Sequence, residues 1–237
     1  MAAADVDGDQ EVRLAIGGET LVGDLARPAR AGAVVLFAHG SGSSRHSPRN
    51  RAVARALRDS GLATLLIDLL TPREEAEDAV TGHLRFDIAL LARRLEAATA
   101  WLREEPSTAD LPVAYFGAST GGGAALVAAA DRPEVFAVVS RGGRPDLAGP
   151  ALPRVKAPTL LIVGGDDVPV IAMNRAAAAQ MGTEVRIEIV PGASHLFEEP
   201  GTLEQVAELA VEWFGQHLGA PSARDFHDGH RRRHPAA

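Results

Sequence analysis

Five short, almost uninterrupted apolar runs constrain this chain more than any other feature: Ala33–Ala38 (AVVLFA), Leu62–Ile67 (LATLLI), Val113–Phe116 (VAYF), Val135–Val139 (VFAVV) and Thr159–Val163 (TLLIV). Each is too short for a buried helix and lacks the polar–apolar alternation of a half-exposed strand. Such runs suit strands covered on both faces, the situation of a parallel sheet sandwiched between helices. A sixth run, Glu184–Val190 (EVRIEIV), does alternate, which places it nearer a sheet edge. Residues 11–16 (EVRLAI) and 19–26 (ETLVGDLA) alternate around Gly17-Gly18, the pattern of an antiparallel hairpin at the other end of the sheet.

Helical signals lie between the runs. Ser47-Pro48 reads as an N-cap with proline at the first helical position, and Gly61 closes that helix. Ile88, Leu91, Leu95, Trp101 and Leu102 line one face of a long second helix, and Leu203, Val206, Leu209, Ala210, Trp213 and Phe214 line a final one. Strands alternating with helices require right-handed crossovers, so the predicted architecture is α/β: a mostly parallel central sheet, helices on both faces and the antiparallel hairpin in front. The expected organisation is a disordered N-terminus over residues 1–10, one domain over 11–219, and a disordered tail over 220–237. His227, His230 and His234 in that tail lack a folded frame and read as solvated, with no metal site expected.

Composition narrows the function classes. A net charge of −7 disfavours a nucleic-acid or anionic-membrane partner and favours small-molecule chemistry. The absence of cysteine removes disulfides, thiolate catalysis and cysteine-bound metals. The stretch MAAADVDGDQ has no apolar core of a secretory signal, and no apolar run is long enough to span a bilayer as a helix, so the expected location is cytoplasmic.

Chemistry concentrates in three loops. Gly117-Ala118-Ser119-Thr120-Gly121 follows the VAYF run and opens a Gly/Ala-rich segment, the setting in which a strained strand-to-helix turn exposes a nucleophilic serine. Serine needs a base, and imidazole accepts a proton near neutral pH. His195, in the loop between the last predicted strand and the last helix, can reach over the sheet's C-terminal edge, where ligands of such sheets collect. A carboxylate should fix the imidazole tautomer, and Asp166 and Asp167 both follow the TLLIV run in the right chain order.

With these pieces and Ala38-His39-Gly40-Ser41-Gly42 after the first buried strand, residues 11–218 resemble an α/β-hydrolase of the group similar to dienelactone hydrolases and small serine esterases. The resemblance places the acid in a Gly-Gly-x-Asp setting, on Asp167. It also implies an oxyanion hole made by the main-chain N–H groups of Ser41 and Thr120. Dienelactone hydrolases proper carry cysteine where this chain has Ser119. His39 reads as a packed loop residue.

The expected function is hydrolysis of a carboxylic ester or related small acyl compound through an acyl-enzyme, without metal or organic cofactor. The alternatives are a ligand-binding or regulatory protein of the same fold with weak activity, or an acyltransferase. The segment Arg141–Lys156 is too short for a large cap domain, and the acidic stretch from Asp68 to His83 is expected to cover part of the opening. Arg45, Arg49, Arg141 and Arg144 flank the predicted site. Either they pair with Glu74, Glu75, Glu77 and Asp78, or Arg45 or Arg141 binds an anionic group of the substrate.

Overall fold

The computed structural model describes residues 9–219; the predicted tail with its three histidines, and residues 1–8, lie outside them. Strands β1 (Gln10–Ile16) and β2 (Glu19–Ala26) form the expected hairpin, with Gly17 and Gly18 both at positive φ, as a two-residue turn of this hand requires. Pairing begins at Gln10, opposite Leu25, so the domain starts one residue earlier than its sequence pattern indicates.

The remaining strands are β3 (Val34–Ala38), β4 (Ala63–Ile67), β5 (Val113–Ala118), β6 (Val135–Arg141), β7 (Thr159–Gly164) and β8 (Val185–Val190). They join one eight-stranded sheet in the order β1-β2-β4-β3-β5-β6-β7-β8. Only the β1–β2 and β2–β4 pairs are antiparallel. The alternating run β8 is an edge strand of intermediate burial.

Helices cover both faces. On one face α3 (Ile88–Glu104), α4 (Thr120–Asp131) and α5 (Val168–Ala178) pack over a cluster containing Leu36, Leu65 and Tyr115. On the other, α1 (Pro48–Asp59) and α6 (Thr202–His217) enclose Phe37, Phe116, Val139 and Trp213. Neighbouring strand residues such as Leu36 and Phe37 therefore enter opposite cores, which is why the runs are continuously apolar. Among the described residues no helix is long and apolar enough to cross a membrane.

One helix was not read from the sequence. The acidic stretch contains α2 (Pro72–Thr81), opened by a reciprocal Thr71–Glu74 capping box and closed by Gly82 in the left-handed conformation. Asp78 is its one buried residue, so α2 adds little to the core and sits instead beside the opening above β3. The segment Pro145–Arg154 forms 3-10 turns rather than a cap domain.

Candidate active site

Strand β5 ends at Ala118 and delivers Ser119 with φ 50° and ψ −120°, a conformation L residues rarely adopt. Its surroundings hold it there. A Cβ at Gly117 would lie 2.5 Å from Gly121 O, and one at Gly121 only 2.3 Å from Ala38 O. The turn is thus pressed on itself and on β3, closer than any other residue permits. Ser119 N–H donates to Arg141 O (3.2 Å), and Ser119 O accepts from the N–H groups of Gly122 (2.9 Å) and Arg144 (3.0 Å). These bonds offset strain of the order of 1–3 kcal/mol.

The loop after β8 brings His195 over this elbow, and the turn after β7 brings Asp167. His195 Nδ1 donates to Asp167 Oδ2 at 2.6 Å, and Ser119 Oγ lies 3.3 Å from Nε2. An ionised carboxylate can only accept, so the Nδ1 proton is fixed and Nε2 faces the serine hydroxyl as an acceptor. Asp167 occupies the N-cap position of α5 but makes no capping bond, leaving its carboxylate for His195. Asp166 is exposed, and its backbone N–H ties the turn to Ala193 O (3.0 Å). The geometry thus assigns the carboxylate contact to Asp167.

Ser41 and Thr120 also meet, in a manner absent from the sequence reading: Ser41 N–H donates to Thr120 Oγ1 at 2.8 Å. One of the two expected oxyanion donors is therefore engaged by the neighbouring hydroxyl. His39 is buried beneath the loop. Its Nδ1 donates to Gly40 O (2.9 Å), its Nε2 accepts from Leu69 N–H (3.1 Å), and burial pushes its pKa down. It ties the loop after β3 to the end of β4 as a neutral ring.

The flanking arginines separate. The expectation that Arg45 reaches substrate is corrected: Asp68, Asp24 (3.2 Å) and Glu11 (3.1 Å) take its guanidinium, and its N–H donates to Asp68 Oδ1 (2.8 Å). Nor are its partners the acidic residues of α2; Glu74 pairs with Arg94 and Asp78 with Arg85. Arg144 is held by Asp146 at 2.7 Å. Arg141 lines a cavity of about 210 Å³ with Ser119, His195, Arg49 and Asn50. A second cavity, of about 500 Å³, opens on the other side of Ser41 and Thr120, with Glu75 and Arg85 of the α2 region in its wall. Burial, chiefly, and the nearby Asp68 raise the Glu75 pKa. Sequence reasoning missed Asn50, Glu75 and Arg85 as lining residues; the Thr-x-x-Glu capping pattern before Glu75 was the available signal. Among the described residues no three His, Asp or Glu side chains group as a metal site.

Residues 20–218 match the model of the dienelactone hydrolase family. The chain belongs to that family. The crystal structure of a dienelactone hydrolase from Anabaena variabilis is 65% identical, with a TM-score of 0.87, over 89% of this chain and 99% of that one. Est1E from Butyrivibrio proteoclasticus, 17% identical with a TM-score of 0.72 over 89% of this chain and 99% of its own, shares the fold. Curated relatives from two strains of Mycobacterium tuberculosis carry the provisional name phosphoribosyl transferase. They are 59% identical over 93% of this chain, which spans only 49% of their length. This member of the dienelactone hydrolase family is thus an α/β-hydrolase by fold.

Proposed function

We propose that the protein is a serine hydrolase of small carboxylic esters or related acyl compounds, acting through an acyl-enzyme. The observation that carries this reading is the Ser119–His195–Asp167 chain, with spacings of 3.3 and 2.6 Å, on a strained elbow. His195 Nε2 takes the Ser119 proton as Oγ attacks the carbonyl carbon. The tetrahedral intermediate then expels the alcohol, which receives that proton from His195. Water, deprotonated by the same Nε2, attacks the ester carbonyl and releases the acid and Ser119. Thr120 N–H and Ser41 N–H donate to the oxyanion, with Thr120 Oγ1 giving up the Ser41 N–H when the substrate oxygen arrives.

The His195 side chain is 38% exposed and the Pro145–Arg154 segment forms no cap, so water has access to an acyl-enzyme. This favours hydrolysis over transfer to another acceptor. The transferase name belongs to relatives about twice as long, whereas the triad lies within the matched half. Small acyl substrates, rather than nucleic acid or membrane lipid, suit the cavity that Ser119 lines and the larger one beyond Ser41 and Thr120. A fluorophosphonate probe tests the reading, because it labels only an activated serine. Labelling should map to Ser119, and Ser119→Ala should abolish both labelling and ester turnover while circular dichroism stays native. Turnover by Ser119→Ala within a few-fold of the parent would reject the mechanism.

A further inference from the structure

Arg141 is a buried cation without an anion. It is only 6% exposed, and its Nε is buried without a hydrogen-bond partner. Its other nitrogens make two long contacts to neutral acceptors, Leu196 O and Asn50 Oδ1, each 3.4 Å. The Phe197 ring lies 5.8 Å from the guanidinium carbon. Among the described residues no carboxylate is paired with it.

A neighbouring charge in the same cavity wall, that of Arg49, is of the same sign. Burial first, and the Arg49 charge second, lower the Arg141 pKa to about 10, still well above neutrality. Arg49 also has a buried Nε without a partner, although its outer nitrogen reaches the exposed Glu198 at 3.1 Å. Both arginines line the 210 Å³ cavity that contains Ser119 and His195. The start of the twelve-residue helix α1, with Ser47 as its N-cap, forms another part of the wall, and a helix N-terminus carries partial positive charge. Stability does not account for Arg141 in the wall of this cavity, since burying a charge without a counter-ion costs free energy.

We propose that Arg141 and Arg49 form the subsite for a phosphate group carried by the acyl substrate. This deepens the hydrolase reading and rests on it only for the location of the scissile ester. A phosphate suits the site better than a carboxylate. The two spare guanidinium N–H groups come from different side chains and can each donate to a different oxygen of one anion, and a phosphate dianion offsets two like charges where a carboxylate offsets one. Arg141, Arg49 and Ser119 line the same 210 Å³ cavity, so a phosphate held here lies close to the nucleophile.

The test has two arms. In the first, inorganic phosphate is titrated at constant ionic strength, and melting temperature is followed for the parent, Ser119→Ala, Arg141→Met and Arg49→Gln. Phosphate should raise the melting temperature of the parent and Ser119→Ala. The effect should vanish in Arg141→Met and weaken in Arg49→Gln. In the second, 4-nitrophenyl esters of equal length ending in methyl, carboxylate or phosphate are compared by kcat/KM. The parent should prefer the phosphate ester, and Arg141→Met or Arg141→Lys should lower the phosphate-to-methyl ratio by about ten- to a hundred-fold. If no ester is turned over but phosphate still stabilises the protein through Arg141, the subsite stands and the hydrolase reading falls. If esters are turned over without phosphate preference, or the carboxylate ester is preferred, or phosphate stabilises every variant equally, the phosphate subsite is overturned.

Discussion

Arg45 and Arg141 lie at the same edge of the same sheet, yet their surroundings differ in kind. On the side of β2 and β4, Arg45 is enclosed by Asp24, Asp68 and Glu11, and Arg51 adds a further bond to Asp24 at 2.8 Å. On the side of β5 to β8, Arg141 has only neutral contacts, and the Asp167–His195 carboxylate–imidazole pair is aligned on Ser119. In the first region charges answer one another and brace loops. In the second, Arg49 and Arg144 reach Glu198 and Asp146, but among the described residues no carboxylate is paired with Arg141. Saturation of polar groups therefore separates scaffold from site better than exposure does, because both arginines are largely buried.

Three experiments press on this contrast. The largest effect should come from the carboxylates of the second region. Asp167→Asn removes the charge that stabilises the His195 imidazolium, and ester turnover should fall about ten-thousand-fold, whereas Asp166→Asn should stay within a few-fold of the parent. Equal losses in a side-by-side kcat measurement would mean that the two aspartates share the role.

Next in size is the effect on stability. Arg45→Met leaves Asp24 and Asp68 facing each other without their shared cation, and should cost about 2–3 kcal/mol, or roughly 5–10 °C in a domain of this length. Arg141→Met removes an unpaired buried charge and should melt at the same temperature as the parent or a few degrees higher. This advantage should shrink above pH 10. Above its lowered folded pKa of about 10, Arg141 gives up its proton more readily in the folded state than in the unfolded chain, so the parent gains stability as pH rises from there towards the ordinary guanidinium value. Thermal melts of both variants at pH 7 and pH 10.5 decide it; a large destabilisation by Arg141→Met would place Arg141 in the scaffold.

The smallest effect is that of His39. Its folded pKa lies below the ordinary 6.5, so just below that pH the unfolded chain binds more protons than the native one. Its contribution to stability is complete above pH 6.5 and is lost as the pH falls through the folded value. The parent should therefore lose melting temperature between pH 7 and pH 5 more steeply than His39→Gln, and parallel curves would show that the ring is not held neutral by burial.

The sheet was legible because its strands are buried on both faces and write that burial as unbroken apolar runs; the hairpin and the capped helix α1 carried local signals equally direct. The elbow serine, the loop histidine and the pair of aspartates were legible as motifs. The fate of a long side chain was not. Arg45 and Arg141 look alike in sequence, and only the packing of β2 against β4 brings Asp24 and Asp68 to one of them. Helix α2 escaped the pattern search because it has almost no apolar face, and its Thr71–Glu74 box is a feature of two residues. The bond from Ser41 to Thr120 spans two loops distant in the chain, beyond the reach of local reasoning.

The two glycines of the elbow have a further consequence for how such a protein can change. Because Gly121 touches the backbone of β3 and Gly117 touches Gly121, the nucleophile is located by main chain rather than by side chains that selection could exchange. New substrate preferences must then arise around this point and not through it. The tolerant ground is the walls of the two cavities: α2, the start of α1 and the residues beside Arg141. A family built this way can be expected to keep one fixed coordinate, the serine oxygen, and to diversify everything measured from it.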